Sequence, residues 1–251
     1  MNVEREVLEI ALDIARRAGE LTLKWFQSPT LTVQNKRDGT PVTEADRAAE
    51  VFIRDQLRRR FPRDSIVGEE FDTYVGSSDR TWYIDPIDGT KAFSHGVPLY
   101  SNLLALLDRD GSAVGVVNLP ALDEVVYAAR GTGCFYNDAA CHVSTTTTID
   151  GAYLSTSGLD HWSPAALARV LASPCKLRTW GDGYGYLLVA TGRIDAMIDP
   201  VVEPYDIAPM SVIVREAGGR FTDLHGVDRI DGGSGLATNG LLHDDVRALL
   251  A

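Results

Sequence analysis

Apolar residues recur at three- and four-residue steps through Val3, Val7, Ile10, Ile14, Ala18, Leu21 and Trp25, which predicts a long amphipathic helix closed before Pro29. The polar, glycine-containing stretch 35–40 predicts a loop with freedom to move. Thr43 stands three residues before Asp46, the spacing of a capping box, and Ala49, Ile53 and Leu57 continue a second helix until Pro62 stops it. Beyond residue 64 the texture changes to short strands between turns, at 65–67, 81–84, 99–107, 113–118 and 124–129. The second half mixes strands at 152–155, 177–180, 195–198 and 219–222 with helices near 163–172, 183–191, 207–217 and 242–250. With no repeat, low-complexity tract or linker, the pattern predicts one α+β unit over 1–251, with two lobes meeting near 140–150.

Composition narrows the function. The chain has 251 residues, 24 Lys plus Arg against 35 Asp plus Glu, and a net charge of −11, which argues against coating a nucleic acid. Any phosphate ligand must be held by backbone dipoles, a few local bases or cations. With 45% hydrophobic residues the chain can bury a core, so disorder is excluded. No stretch offers the roughly 20 apolar residues a membrane helix needs. The opening MNVEREVLEI is acidic and helical in spacing, unlike a signal peptide. Cys134, Cys141 and Cys175 form no CxxC pair and read as reduced structural thiols of a cytosolic protein.

The informative segment is 82–90, WYIDPIDGT. A strand runs into Asp85 and Asp88, then Gly89-Thr90 and a helix start, which sets both carboxylates at a sheet rim with Pro86 restricting the backbone between them. The N–H groups of Gly89, Thr90 and Lys91 would form an anion site at the helix N-terminus. Carboxylates beside an anion site make electrostatic sense only with a cation between them. Glu69 and Glu70 follow a short strand, and Glu203-Pro204-Tyr205-Asp206 precedes an apolar helix in which Asp206 fits the N-cap and Pro209 the first turn. If Glu69, Asp85, Asp88 and Asp206 converge, they offer an oxygen-rich site to a hard cation such as Mg²⁺; without one, mutual repulsion would raise their pKa values. Glu70 reads as a supporting carboxylate. His95 is the histidine nearest the motif in sequence and suits lid packing, while His142, His161, His225 and His243 show no zinc spacing.

GEE at 68–70, DPIDGT at 85–90 and the late Tyr205-Asp206 before an apolar helix resemble the inositol monophosphatase superfamily of metal-dependent phosphatases. TEAD at 43–46 and REAGG at 215–219 agree in order and spacing, so the resemblance spans nearly the whole chain. It implies a layered αβαβα sandwich, a homodimer, a small phosphorylated metabolite as substrate, and two or three Mg²⁺ ions per site. Carried over by position, Glu69, Asp85, Asp88, Asp206 and the carbonyl of Ile87 match metal ligands. Thr90 and Asp46 match the pair that orients the attacking water, with Glu69 beside them. Asp88, Gly89 and Thr90 match phosphate-binding positions, and Lys36 matches a mobile-loop residue near a weakly held metal. The run 178–186 (RTWGDGYGY) followed by LLVATGR is more similar to the histidinol-phosphatase branch than to the inositol branch. Histidinol phosphate has an ammonium and an imidazole, so Asp182, Asp199 and Glu203 are the candidate substrate carboxylates. An inositol or broader sugar-phosphate substrate stays open, as does a regulatory role with a protein or RNA partner. Ala92 stands where related motifs have Asn, and Tyr205 where Trp is usual.

Overall fold

The computed structural model describes residues 3–36 and 39–251, so Arg37 and Asp38 of the expected 35–40 loop lie outside the described residues. Helix α1 (Val3–Thr22) buries Val7, Ile14 and Ala18 of the predicted stripe and widens it with Leu8, Ala11 and Ala15. It ends one turn before Trp25, whose ring packs instead on a separate cluster of Ala45, Ile87, Phe93 and Tyr100. The expected loop is the tip of a hairpin, β1 (Val33–Asn35) with β2 (Pro41–Thr43), closed by Lys36 N–H donating to the Thr40 carbonyl at 2.8 Å. That hairpin escapes sequence reading because β1 is exposed throughout and carries no alternation. Helix α2 (Glu44–Arg60) begins at the Thr43 cap, with the reciprocal bond from Thr43 N–H to Asp46 Oδ2 at 2.8 Å.

The next strands form one seven-stranded sheet: β3 (Ser65–Gly68), β4 (Thr81–Asp88), then after helix α3 (Thr90–Ser94), β5 (Ser101–Asp108), β6 (Gly111–Leu119), β7 (Glu124–Ala129), β8 (Cys134–Tyr136) and β9 (Ala139–Ala140). β3 and β4 run parallel, and every later pair is antiparallel. The chain then builds a second sheet from β10 (Tyr153–Ser155), and helices alternate with strands: α4 (Pro164–Ala172), β11 (Lys176–Arg178), α5 (Asp182–Ala190), β12 (Ala196–Asp199), α6 (Pro204–Glu216), β13 (Arg220–Thr222), β14 (Gly235–Thr238) and α7 (His243–Leu250). The five strands lie in the order β11-β10-β12-β14-β13, with β10 parallel to both neighbours.

Burial explains the layering. α1 and α2 cover one face of the first sheet through Ile14, Ile53, Leu57, Trp82 and Val116. α5 and α6 fill the space between the sheets, and α5 is buried on nearly every side, so its sequence is apolar all round rather than striped. α4 and α7 close the outer face of the second sheet over Leu154, Ala196, Ile198 and Leu236. The order α, β, α, β, α is the sandwich expected from the sequence. No helix among the described residues is long and apolar enough to cross a membrane.

The middle layer sits close enough to β6 to demand a glycine. A Cβ on Gly115 would fall 2.5 Å from the Pro209 carbonyl oxygen of α6. Gly115→Ala is therefore expected to destabilise the fold by about 1–3 kcal/mol, as overpacking does. Chemical denaturation read by far-UV circular dichroism checks this, and an unchanged midpoint would show that α6 can shift away without cost.

Candidate active site

Asp85 and Asp88 are an odd number of residues apart, so a regular strand would point them to opposite faces of the sheet. The β4–β5 register prevents that: Asp85 opposes Leu103 while Asp88 opposes Ser101, so three steps on one strand match two on the other. This bulge supplies the extra residue that returns both carboxylates to one side. β4 thus runs on to Asp88, past its expected end at 84. Pro86 is tolerated within the irregularity because it has no N–H to lose. Its carbonyl accepts Asn102 Nδ2 at 2.7 Å, and Asn118 Nδ2 donates to Asn102 Oδ1 at 2.9 Å and to the Ala15 carbonyl at 3.2 Å. A buried amide pair therefore pins the bulge to α1.

The parallel register of β3 and β4 pairs Gly68 with Ile84, which carries the next residue, Glu69, alongside Asp85. Glu50, fully buried on α2, holds this turn: its carboxylate accepts the Glu70 N–H at 2.8 Å and Arg54 Nε at 2.7 Å. Lys36, at the tip of the β1–β2 hairpin, places Nζ 2.6 Å from both Glu69 Oε1 and Glu70 Oε1. Burial opposes the lysine's charge, but the hydrogen bonds and attraction of the two glutamates outweigh it and raise its pKa. Burial lifts Glu70 to about 7 despite Lys36.

Asp206 comes from the opposite side, in the first turn of α6. The sequence expectation of Asp206 at the N-cap is corrected here: Glu203 is the cap and Pro204 the first helical residue, while Asp206 is the third and returns Oδ2 to the Glu203 N–H at 2.8 Å. Pro209 correspondingly lies inside the helix rather than in its first turn. Asp88 Oδ2 accepts Ser101 Oγ at 2.7 Å and the Gly183 N–H at 2.6 Å, from the start of α5. Gly183 has no alternative, since a Cβ there would meet Ser101 Oγ at 2.3 Å. Asp85 Oδ1 accepts the Ile87 N–H at 3.0 Å, and its carboxyl hydrogen-bonds Glu69.

The fold thus brings Glu69, Asp85, Asp88 and Asp206 to one cavity of about 590 Å³, lined also by Ile87, Gly89, Thr90, Lys91 and Asp182. Burial pushes Asp85 and Asp88 well above the carboxylate range, reinforced for Asp85 by Glu69 and for Asp88 by Asp182. Burial, with repulsion from Glu69, carries Asp206 to about 7 against the Glu203 N–H. Among the described residues no three of these side chains close into a formed metal-binding group.

Across the cavity, Thr90 Oγ1 lies 3.4 Å from Asp46 Oδ1 and 3.1 Å from the Ile87 carbonyl. Asp46 is fully buried and its pKa is raised by that burial, while Oδ2 is fixed by the Thr43 cap. Gly89 is left-handed, with φ 83°, and starts the one-turn helix α3, whose first N–H groups have no helical acceptor.

The three candidate substrate carboxylates part company. Asp182 lines the cavity, holds a left-handed φ of 55°, and is lifted to about 6 by burial and then by Asp199. Asp199 lies behind it, its oxygens accepting Ser157 N–H at 3.0 Å and Tyr186 OH at 2.9 Å, and it lines a smaller adjoining cavity of about 90 Å³ with Asp88, Asp182 and Asp206. Glu203 is exposed and does not line the cavity. Asp160, His161 and Thr179 do line it, and sequence reasoning missed them. His95 is exposed, with Nδ1 2.8 Å from the Lys91 carbonyl.

A model of the inositol monophosphatase family matches residues 3–250. The chain is 43% identical over 239 residues to a histidinol-phosphatase of Chlorobaculum parvum, covering 92% of this chain and 91% of that protein. It is 44% identical over 248 residues to a histidinol-phosphatase of Mycobacterium tuberculosis, covering 95% of each. Its structure is similar to that of the extragenic suppressor protein suhB from Bartonella henselae, with a TM-score of 0.90, 28% identity and 98% of each chain covered.

The raised acid at Asp206 gives a stability test. From its ordinary 3.8 up to about 7, the folded chain keeps a proton that the unfolded chain has released, so this group makes stability fall as pH rises through that window. Asp206→Asn cannot ionise and escapes that loss. In chelator-treated protein, the Tm of the variant relative to wild type is expected to climb progressively from about pH 4 to about pH 8. A difference that stays flat over this range would show that Asp206 is ionised throughout.

Proposed function

The chain belongs to the inositol monophosphatase family, and from that premise we propose that it is a Mg²⁺-dependent phosphomonoesterase that hydrolyses L-histidinol phosphate to L-histidinol and phosphate. The observation that carries the reading is the convergence of Glu69, Asp85, Asp88 and Asp206 on one cavity, opposite the Thr90–Asp46 pair. The donors fit a hard cation in kind: all are oxygens, and Asp88 and Asp206 are each tied to the scaffold through one oxygen only. Their raised pKa values reflect burial first and then repulsion from neighbouring carboxylates, a cost that a bound cation would offset. Glu69, Asp85, Asp88, Asp206 and the Ile87 carbonyl would hold the metal, at two or three ions per site. Mg²⁺ bound there supplies Lewis-acid polarisation of the phosphoryl group and neutralises its charge.

The remaining chemistry falls to the chain's own groups. Thr90 accepts a hydrogen bond from the attacking water and passes its own hydroxyl proton toward Asp46 Oδ1, which orients a water lone pair at phosphorus. The raised pKa of Asp46 suits it to receive that proton. The N–H groups of Gly89 and Thr90, at the start of α3 and on the cavity wall, would receive the phosphoryl oxygens. Lys36, carried on the hairpin tip, shares its one positive charge between Glu69 and Glu70.

The choice of histidinol phosphate is supported by the two histidinol-phosphatases it resembles and by Asp182, a carboxylate on the cavity wall suited to a cationic leaving group. A homodimer in the cytoplasm is the setting we assign. The likeness to suhB favours a second reading, a regulatory partner protein, and the net charge of −11 directs that reading to protein rather than RNA. A stoichiometric partner in a pulldown that persists after Mg²⁺ removal would favour it.

Phosphate release in Mg²⁺ from L-histidinol phosphate, inositol 1-phosphate and fructose 1,6-bisphosphate, measured side by side, tests the substrate. A kcat/KM for histidinol phosphate orders of magnitude above the others is expected; a flat or inositol-favouring profile overturns the choice and leaves the metal chemistry standing. Asp88→Asn is expected to lower kcat by roughly 1,000-fold or more with the fold retained, and near-wild-type turnover would remove Asp88 from the site. Thr90→Ala is expected to lower kcat by about 100- to 10,000-fold while KM moves little. A change confined to KM would make Thr90 a positioning residue.

A further inference from the structure

The two cysteines at the far end of the first sheet are neighbours in space. β8 and β9 pair Phe135 with Ala140 and Tyr136 with Ala139, so the next rung sets Cys134 opposite Cys141. The Cys141 N–H donates to the Cys134 carbonyl at 3.0 Å, which makes this a hydrogen-bonded antiparallel rung. Such a rung holds its Cα atoms about 5.5 Å apart, inside the range a disulfide bridges. The sulfurs themselves lie 3.4 Å apart, and both cysteines are free thiols.

The surrounding chain keeps them there. Asn137 and Asp138, both with positive φ (43° and 67°), close the hairpin in the two-residue turn that fixes register most tightly. Glu216, at the end of α6, accepts the N–H groups of Gly131 at 2.8 Å and Gly133 at 2.7 Å, just before Cys134. On the other side, the Val143 N–H donates to the Ala217 carbonyl at 3.1 Å, just after Cys141. One helix end therefore anchors both flanks of the pair. Cys134 is buried in the core between the sheets, whereas Cys141 is part-exposed and so is the thiol an oxidant reaches. Neither lines the active-site cavity.

We propose that Cys134 and Cys141 form a site of reversible oxidative modification, closing an intramolecular disulfide when a hydroperoxide reaches Cys141. The Cys141 sulfur attacks the peroxide, the O–O bond breaks and water leaves, giving a sulfenic acid on Cys141. The Cys134 sulfur then attacks Cys141 Sγ, the S–O bond breaks and a second water leaves with the Cys134 proton. Two thiols and one hydrogen peroxide thus become one disulfide and two waters. The contact with Cys134 lowers the pKa of Cys141 against its burial, with Arg193 adding to the effect. The same contact and burial raise the pKa of Cys134, so Cys141 is the thiol that meets the peroxide and Cys134 keeps its proton until the second step. The product staples the last hairpin of the first sheet where the chain leaves it for the second.

The folded protein is treated with hydrogen peroxide, alkylated with N-ethylmaleimide and mapped without reduction after chymotryptic cleavage at Phe135 or Tyr136, between the two cysteines. The expected result is a Cys134–Cys141 cross-linked peptide, alkylation at Cys175 alone, and a Tm rise of roughly 3–8 °C. Dithiothreitol reverses all three, and phosphatase activity is unchanged. Cys141→Ser, at the part-exposed position, loses the cross-link and the Tm rise, so the test does not depend on a substitution at buried Cys134. Alkylation at Cys141, a sulfinic Cys141 without a cross-link, or disulfide-linked dimers would each overturn the proposal.

Discussion

Packing four carboxylates around one cavity is the constraint on which the rest of this structure depends. Buried like charges raise one another's pKa values, and the energy is manageable only if each group is given donors and held at a fixed orientation. The fold answers with backbone N–H groups: Ile87 for Asp85, Gly183 for Asp88, Glu203 for Asp206. Two of those donors come from helix beginnings, where the macrodipole adds positive potential. The starts of α2, α3, α5 and α6 all contribute a cavity-facing or supporting residue, so the sandwich arranges helix N-termini around acids. The bulge at Asp85–Asp88 and the parallel pairing of β3 with β4 serve the same end.

Much of this was legible in the sequence wherever the determinant is local. The Thr43–Asp46 box, the stop at Pro62 and strand 124–129 depend on neighbours a few residues apart, and the structure has them where the spacing put them. Glu69, Asp85, Asp88, Thr90 and Asp206 could be singled out because motif order survives in the linear chain. What was not legible depends on distant partners. The Asn102–Asn118 pair that pins the bulge, the burial of Glu50 and the carbonyl that excludes a side chain at Gly115 all join segments far apart in sequence. Pro86 within a strand was the one local hint of the bulge. The α6 cap was misplaced because Glu203 and Asp206 have reciprocal roles at that terminus, and Pro204 at the first helical position decides between them.

The same separation explains why the reaction is easier to read than the substrate. The carboxylate floor is held by backbone donors and a bulge, and its composition follows from what a phosphoryl group and a cation require. The wall carries fewer constraints. Asp199 is buried and ties each oxygen to Ser157 or Tyr186, while Asp182 is only part-buried and lines the larger cavity. Charge alone could not distinguish them; hydrogen-bond satisfaction does. A carboxylate with a hydrogen bond on each oxygen is tied to the scaffold, whereas Asp182 lines the larger cavity in a left-handed conformation.

Protonation then links the floor to its cation. Asp206 and Glu70 titrate near 7, and Asp85 and Asp88 hold protons well above the ordinary range. A divalent ion that binds these oxygens must displace those protons, so affinity for the ion rises with pH over the same interval in which the metal-free cluster loses stability. Lys36 moderates the coupling from the hairpin tip by sharing one positive charge between Glu69 and Glu70. Lys36 follows β1, a three-residue strand exposed throughout, so the countercharge is supplied from outside both sheets. The acidic floor is therefore built into the sandwich layers, and its lysine countercharge comes from the exposed hairpin that reaches it.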